Sequence, residues 1–186
     1  MTLRRSSRRH RDRRGLEPVL WALLVLVAVG PVGVAVSHHD RRPATKPTAS
    51  LAEVVERAGC ELSEFDSDPH SNPPVSGRVD ERISALDGSY VGRPGPSELA
   101  ATHALLHGRV VVQYRRQLPV SQIALLDRFV RRDRRGVMLF ENRTGMSQPV
   151  AATAYLTLMT CPRVDARSLA ALRAFRSRRG NFGQDL

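Results

Sequence analysis

Residues 19–36, from Val19 through Trp21 to Val36, run for eighteen positions without a charge. As a helix rising 1.5 Å per residue this run is about 27 Å long, close to the ~30 Å hydrocarbon core of a bilayer. It is apolar all the way round, so it lacks the polar face that a helix on a soluble domain shows to water. Upstream, Arg4, Arg5, Arg8, Arg9, Arg11, Arg13 and Arg14 stand against one acid, Asp12, and give residues 1–15 a local charge of +6. Downstream come His38, His39, Asp40, Arg41 and Arg42. A basic N-terminal flank of this kind stays in the cytoplasm, which sends the chain after the span outside. The expected organisation is a basic cytoplasmic tail (1–15), a transmembrane anchor or signal (16–36), a linker (37–59), an exported domain (60–180) and a flexible C-terminus (181–186). A retained anchor in the bacterial cell membrane is favoured, because eighteen residues exceed the ~7–15 of a signal-peptide core; the alternative is secretion after cleavage near Ser37.

The arginine run lies directly before the span, so it reads as a topology signal with anionic lipid as its partner, and no nucleic-acid partner is expected. The chain as a whole has 29 basic and 18 acidic residues, a net charge of +11. From residue 37 onward the count is 22 basic against 16 acidic, so the exported part is only moderately basic. Cys60 and Cys161 are the only cysteines. Export to an oxidising compartment makes such an even pair a candidate structural disulfide, and no Cys-x-x-Cys is present to suggest redox chemistry.

Residues 63–97 are rich in proline and glycine and read as a long loop with at most one short strand, and 68–80 is the first place to look for a site. Ser97 can cap a short helix that ends at Gly108. Residues 109–114 then read as a strand. After Pro119, the helical spacing of Ile123, Leu126 and Val130 predicts an amphipathic helix up to Gly136. Residues 137–140 and 150–159 read as two further strands, and Asp165 can cap a last helix carrying Leu169, Leu172 and Phe175. The fold class expected is α+β, with a transmembrane helix followed by one small exported domain, its mostly antiparallel sheet covered by helices.

His103 and His107 are four apart and project from one helix face, the spacing at which two imidazoles share a metal. His70 could add a third nitrogen and Met146 a soft sulfur, a set that points to copper, with zinc as the other candidate. The reading favoured for His103 itself is a histidine packed against the core and hydrogen-bonded to backbone, with the metal ligand as the alternative. A zinc protease would need glutamate directly after His103, where this chain has Ala104. No nucleophile elbow, phosphate loop, dinucleotide fingerprint or calcium loop is present, so no catalytic residue is named. Arg128, Arg131, Arg132, Arg134 and Arg135 form a basic helix end that could meet anionic lipid or a polyanionic wall polymer.

Three segments resemble a bacterial family of membrane-anchored exported proteins known as the domain of unknown function numbered 3105. They are Asn72-Pro73-Pro74-Val75-Ser76-Gly77; Thr102-His103-Ala104-Leu105-Leu106-His107-Gly108 with the strand to Tyr114; and Met146 with Pro149-Val150-Ala151-Ala152-Thr153-Ala154-Tyr155. The resemblance implies a shared fold and topology and supplies no activity. Two positions depart from the family pattern: Val79 stands where the family has histidine, and Leu106 where it has glutamate. If the family's polar positions form a site, this chain retains His103 and His107 and has lost two partners. The expected function is a non-enzymatic, single-pass protein with an exported ligand-binding domain, metal binding being its most specific version. The alternatives are an envelope hydrolase with a histidine base and an interaction module for anionic envelope surfaces.

Overall fold

The computed structural model describes residues 49–66 and 70–180, so the basic tail, the apolar run, most of the linker and the last six residues lie outside it. Among the described residues no helix is long and apolar enough to cross a membrane. The elements follow in the order α1 (Leu51–Arg57), β1 (Glu61–Glu64), β2 (Gly88–Ser89), α2 (Glu98–Leu106), β3 (Val110–Arg115), α3 (Val120–Arg132), β4 (Val137–Asn142), β5 (Val150–Ala154), β6 (Thr157–Cys161) and α4 (Ala166–Arg179). They build an α+β domain around one six-stranded mixed sheet, ordered β1-β6-β5-β3-β4-β2.

Side chains alternate across the sheet, and both faces are covered. Val110, Val112 and Tyr114 of β3 enter one core with Leu126, Phe129 and Val130 of α3, Leu172 and Phe175 of α4, and Leu51 and Val55 of α1. Val111, between them in sequence, enters a second core with Met138 and Phe140 of β4 and Ala101, Ala104 and Leu105 of α2. Burial on both faces is why β3 reads as an unbroken run of valines rather than as an alternating strand. The caps are those the sequence announces: Ser97 accepts from the Ala100 amide, and Asp165 from the amides of Arg167 and Ser168.

Three expectations are refined. The sheet is mostly antiparallel but mixed: β1–β6, β6–β5 and β5–β3 are antiparallel, and β3–β4 and β4–β2 are parallel. The cause is α3, which returns the chain to the starting edge so that β4 repeats the direction of β3. Residues 150–159 are two strands, not one, because the chain reverses at Tyr155 and Leu156 and pairs Ala154 with Thr157. Leu156 takes φ 55°, rare for a branched residue. Its amide donates to the Val75 carbonyl and its carbonyl accepts from the Phe65 amide, both at 3.0 Å, so neighbouring loops hold the turn. Finally, α1 lies inside the stretch read as linker; Ser50 and Glu53 form a capping box and Val55 is buried.

Cys60 and Cys161 form a disulfide across 101 residues. It joins the residue before β1 to the last residue of β6, its antiparallel neighbour. Bridges of this kind persist in oxidising compartments and point to an extracytoplasmic domain.

Candidate functional site

Helix α2 buries Ala100, Ala101, Ala104 and Leu105 against the sheet, which leaves Leu99, His103, Leu106 and His107 on the outward arc. The Nε2 atoms of His103 and His107 are 2.9 Å apart. Their ring centroids are 4.8 Å apart, with the planes tilted by 54°. His103 Nδ1 is 2.7 Å from the carbonyl oxygen of Ile83. A carbonyl only accepts, so Nδ1 carries the proton and donates; in the neutral ring Nε2 then holds a lone pair. His107 Nε2–H donates into that lone pair. A histidine whose second nitrogen is committed to a backbone carbonyl has its tautomer and ring orientation fixed, as metal-ligating histidines do.

The segment after the proline-rich loop is strapped along α2. The Thr102 hydroxyl donates to the Arg78 carbonyl at 3.0 Å as well as to its own helix, and Arg109 donates to the Ala85 carbonyl at 2.7 Å. Residues 78–82 and Leu99 line an open cleft of about 830 Å³ beside the helix. Val79, in the cleft lining, is 38% exposed; Leu99 and Leu106, on the outer arc of α2, are 40% and 37% exposed. Neither Val79 nor Leu106 is buried in the core.

The other candidates fall elsewhere. His70 is exposed, and among the described residues no group of three or more His, Cys, Asp or Glu side chains could share one ion. Met146 is buried, and its amide donates to Asn142 Oδ1 at 3.1 Å. That asparagine is the centre of a polar network which the sequence reading missed. Its Nδ2 donates to Gln113 Oε1 at 2.7 Å and to Asn72 Oδ1 at 3.3 Å, and Asn72 also receives the Thr144 hydroxyl at 2.8 Å and donates to the Thr144 carbonyl at 2.9 Å. The first family motif thus begins with a residue that pins its loop to the end of β4. Gln113, inside a run of apolar strand residues, was the one visible signal. Asn142 also opens an Asn-x-Thr sequon, but its buried amide is occupied by these bonds.

Of the five basic-end arginines, Arg131, Arg132, Arg134 and Arg135 line a cleft of about 530 Å³ together with Arg93, Asp87 and Asp133. Arg128 is exposed one turn earlier and is not part of its lining. Arg176 donates a hydrogen bond to Asp133 and holds its carboxyl below the usual range, the Arg135 amide and the two guanidinium charges adding to the effect. On β3, burial pushes the Tyr114 hydroxyl up, with Glu141 and Asp127 adding to it.

No curated protein and no solved structure gives a significant match to this chain. A family model described as protein of unknown function, DUF3105, matches residues 67–181, a span that takes in the Asn72 loop, the histidine helix and the Met146 segment. With more than half of its length matched, the chain belongs to the DUF3105 family of proteins of unknown function.

Proposed function

We propose that this chain is a membrane-tethered extracytoplasmic binding domain, and that the imidazole pair on the outer face of α2 is its metal-coordinating element, with copper(II) the preferred ion. The observation that carries the reading is the 2.9 Å separation of the two Nε2 atoms, one of which already presents a lone pair. Two nitrogens each about 2.05 Å from one ion lie about 3.3 Å apart at a tetrahedral angle and about 2.9 Å apart at a right angle. That spacing is also the length of the hydrogen bond between the rings, and either geometry lies within about half an ångström of it; copper(II) is preferred because imidazole binds it more tightly than zinc(II). Binding through both Nε2 atoms would move the proton that lies between the rings to Nδ1 of His107, leaving two neutral imidazoles as ligands. With Val79 and Leu106 in place of polar groups, water or a donor brought by the bound molecule would fill the remaining positions.

A binding role is supported by what the pair touches. Among the described residues neither imidazole is hydrogen-bonded to a serine, threonine or carboxylate, the arrangement a histidine base would use to activate or orient a nucleophile. The membrane tether rests on the apolar run 19–36 and its basic flank, and the extracytoplasmic side on the disulfide. Calorimetric titration of the purified full-length protein in detergent with Cu(II), Cu(I) and Zn(II) tests the reading. One Cu(II) per chain is expected, bound at least ten-fold more weakly by His103→Ala/His107→Ala; equal affinity in that variant would remove the pair from the site.

A further inference from the structure

The arginine cleft at the end of α3 combines three observations. First, Arg131, Arg132, Arg134 and Arg135 are all exposed, and Arg93 reaches the same cleft from the loop after β2. Arg93 is fixed there: its guanidinium lies 4.3 Å from the Tyr90 ring centre and donates to the Ser89 carbonyl at 2.9 Å. Second, the acids of the cleft are already engaged by arginines that do not line it. Asp133 pairs with Arg176 at 2.8 Å; Asp87 pairs with Arg109 at 3.3 Å and accepts from the Gly136 amide at 2.7 Å. Arg131 pairs with Asp127, but among the described residues neither Arg132 nor Arg134 makes an ion pair or a side-chain hydrogen bond. A cleft with spare guanidinium groups and neutralised carboxylates is complementary to phosphate esters, which arginine grips with two parallel donors.

Third, the last turn of α4 ties this cleft to the place where the N-terminal segment joins the domain. Arg176 donates to the Arg135 carbonyl at 2.7 Å, and Arg178, two residues further on, donates to the carbonyl of Ala49. The two positions differ by about 3 Å along the helix axis. Between Val36, the end of the apolar run, and Ala49 the chain can extend at most about 45 Å. The described chain thus enters the domain beside the last turn of α4, the turn that Arg176 joins to the cleft.

We infer that this end, formed by Arg93 and Arg131, Arg132, Arg134 and Arg135, is a docking surface for the anionic phospholipid headgroups of the membrane that holds the chain. The inference rests on the membrane-tether reading above and is independent of the histidine pair. Each arginine near an anionic surface adds about five-fold to partitioning, and the effect is screened by salt within a Debye length.

The test reconstitutes the full-length protein into phosphatidylcholine vesicles, or into vesicles that also contain phosphatidylglycerol, and footprints arginines with a membrane-impermeant dicarbonyl read by mass spectrometry. Arg82, whose side chain is 92% exposed on the other face, is the internal reference. Modification of Arg132, Arg134 and Arg135 relative to Arg82 should slow at least about five-fold in the anionic vesicles and recover at high salt. Equal modification in both vesicle types would overturn the inference. So would protection in neutral vesicles by soluble poly(glycerol phosphate) with none from phosphatidylglycerol, which would assign the surface to a wall-type polymer. Flotation separates the two readings: a chain that does not float with neutral vesicles at high salt refutes the tether. The docking surface is then judged by flotation with anionic vesicles at low salt, which Arg132→Gln/Arg134→Gln/Arg135→Gln must reduce; absent flotation of the unaltered protein, or undiminished flotation of the variant, overturns it.

Discussion

Replacing Asn142 with alanine should destabilise the domain by about 4 kcal/mol. The side chain is 6% exposed and makes five hydrogen bonds, two as donor and three as acceptor. The partners at Thr144 are close enough to solvent to be rehydrated once the amide is gone. Gln113 Oε1 and the Met146 amide are buried, and each left without a partner costs about 1–3 kcal/mol. Urea unfolding followed by far-ultraviolet circular dichroism, with the disulfide intact, measures the loss. At a slope near ~2 kcal/mol per molar urea the midpoint should fall by about 2 M. Asn72→Ala is the control, because that residue is exposed and its loss should cost only about 1 kcal/mol. A shift below about 0.5 M for Asn142→Ala, or an equal shift for Asn72→Ala, would refute the view that the network's stabilising centre is buried and that the Asn72 motif is its exposed clasp.

Two further predictions concern the frame. Removing the disulfide with Cys60→Ala/Cys161→Ala should lower stability by up to about 4.7 kcal/mol, since the bridge closes a loop of 101 residues in the unfolded chain; a variant as stable as the oxidised protein contradicts this. Asp165, which caps α4, has its carboxyl held below its ordinary value, first by the Ser168 amide and then by Arg163 and the Arg167 amide. A depressed folded value means the stabilisation is complete above the unfolded value near ~3.9 and is lost as pH falls through the folded one. Asp165→Ala should therefore cost about 1 kcal/mol at neutral pH, and the gap to the unaltered protein should close in acid; a gap that does not narrow would rule out the cap as its source.

What the sequence discloses follows from how local each cause is. Helix α2, strand β3, helix α3, strand β4 and helix α4 are each written in their own residues, through caps at Ser97 and Asp165, the valines of 110–112 and the spacing of Ile123, Leu126 and Val130. The cysteine pairing is legible because only one pairing exists. Helix α1 carries a capping box, Ser50-Leu51-Ala52-Glu53, but its seven residues bury only Leu51 and Val55, too few for a period to stand out. Strand β1, Glu-Leu-Ser-Glu, is mostly exposed at a sheet edge and lacks alternation. The Tyr155-Leu156 turn contains no glycine or asparagine; backbone bonds from distant loops create it. The candidate site divides in the same way. The spacing of His103 and His107 places them together, but the Ile83 carbonyl that sets the tautomer is a backbone atom twenty residues away, with no side-chain signature. Arg93 joins the arginine cleft only because β2 lies beside β4.

The claim that His103 and His107 form a metal-coordinating pair is tested most directly by electron paramagnetic resonance of the full-length protein loaded with one equivalent of Cu(II). The expected spectrum is a tetragonal signal with hyperfine structure from two imidazole nitrogens, reduced to one nitrogen in His107→Ala and lost with both histidines replaced. A spectrum without imidazole nitrogen, or one unchanged in the double variant, would contradict it and leave the pair as a hydrogen-bonded clasp between α2 and the Ile83 segment.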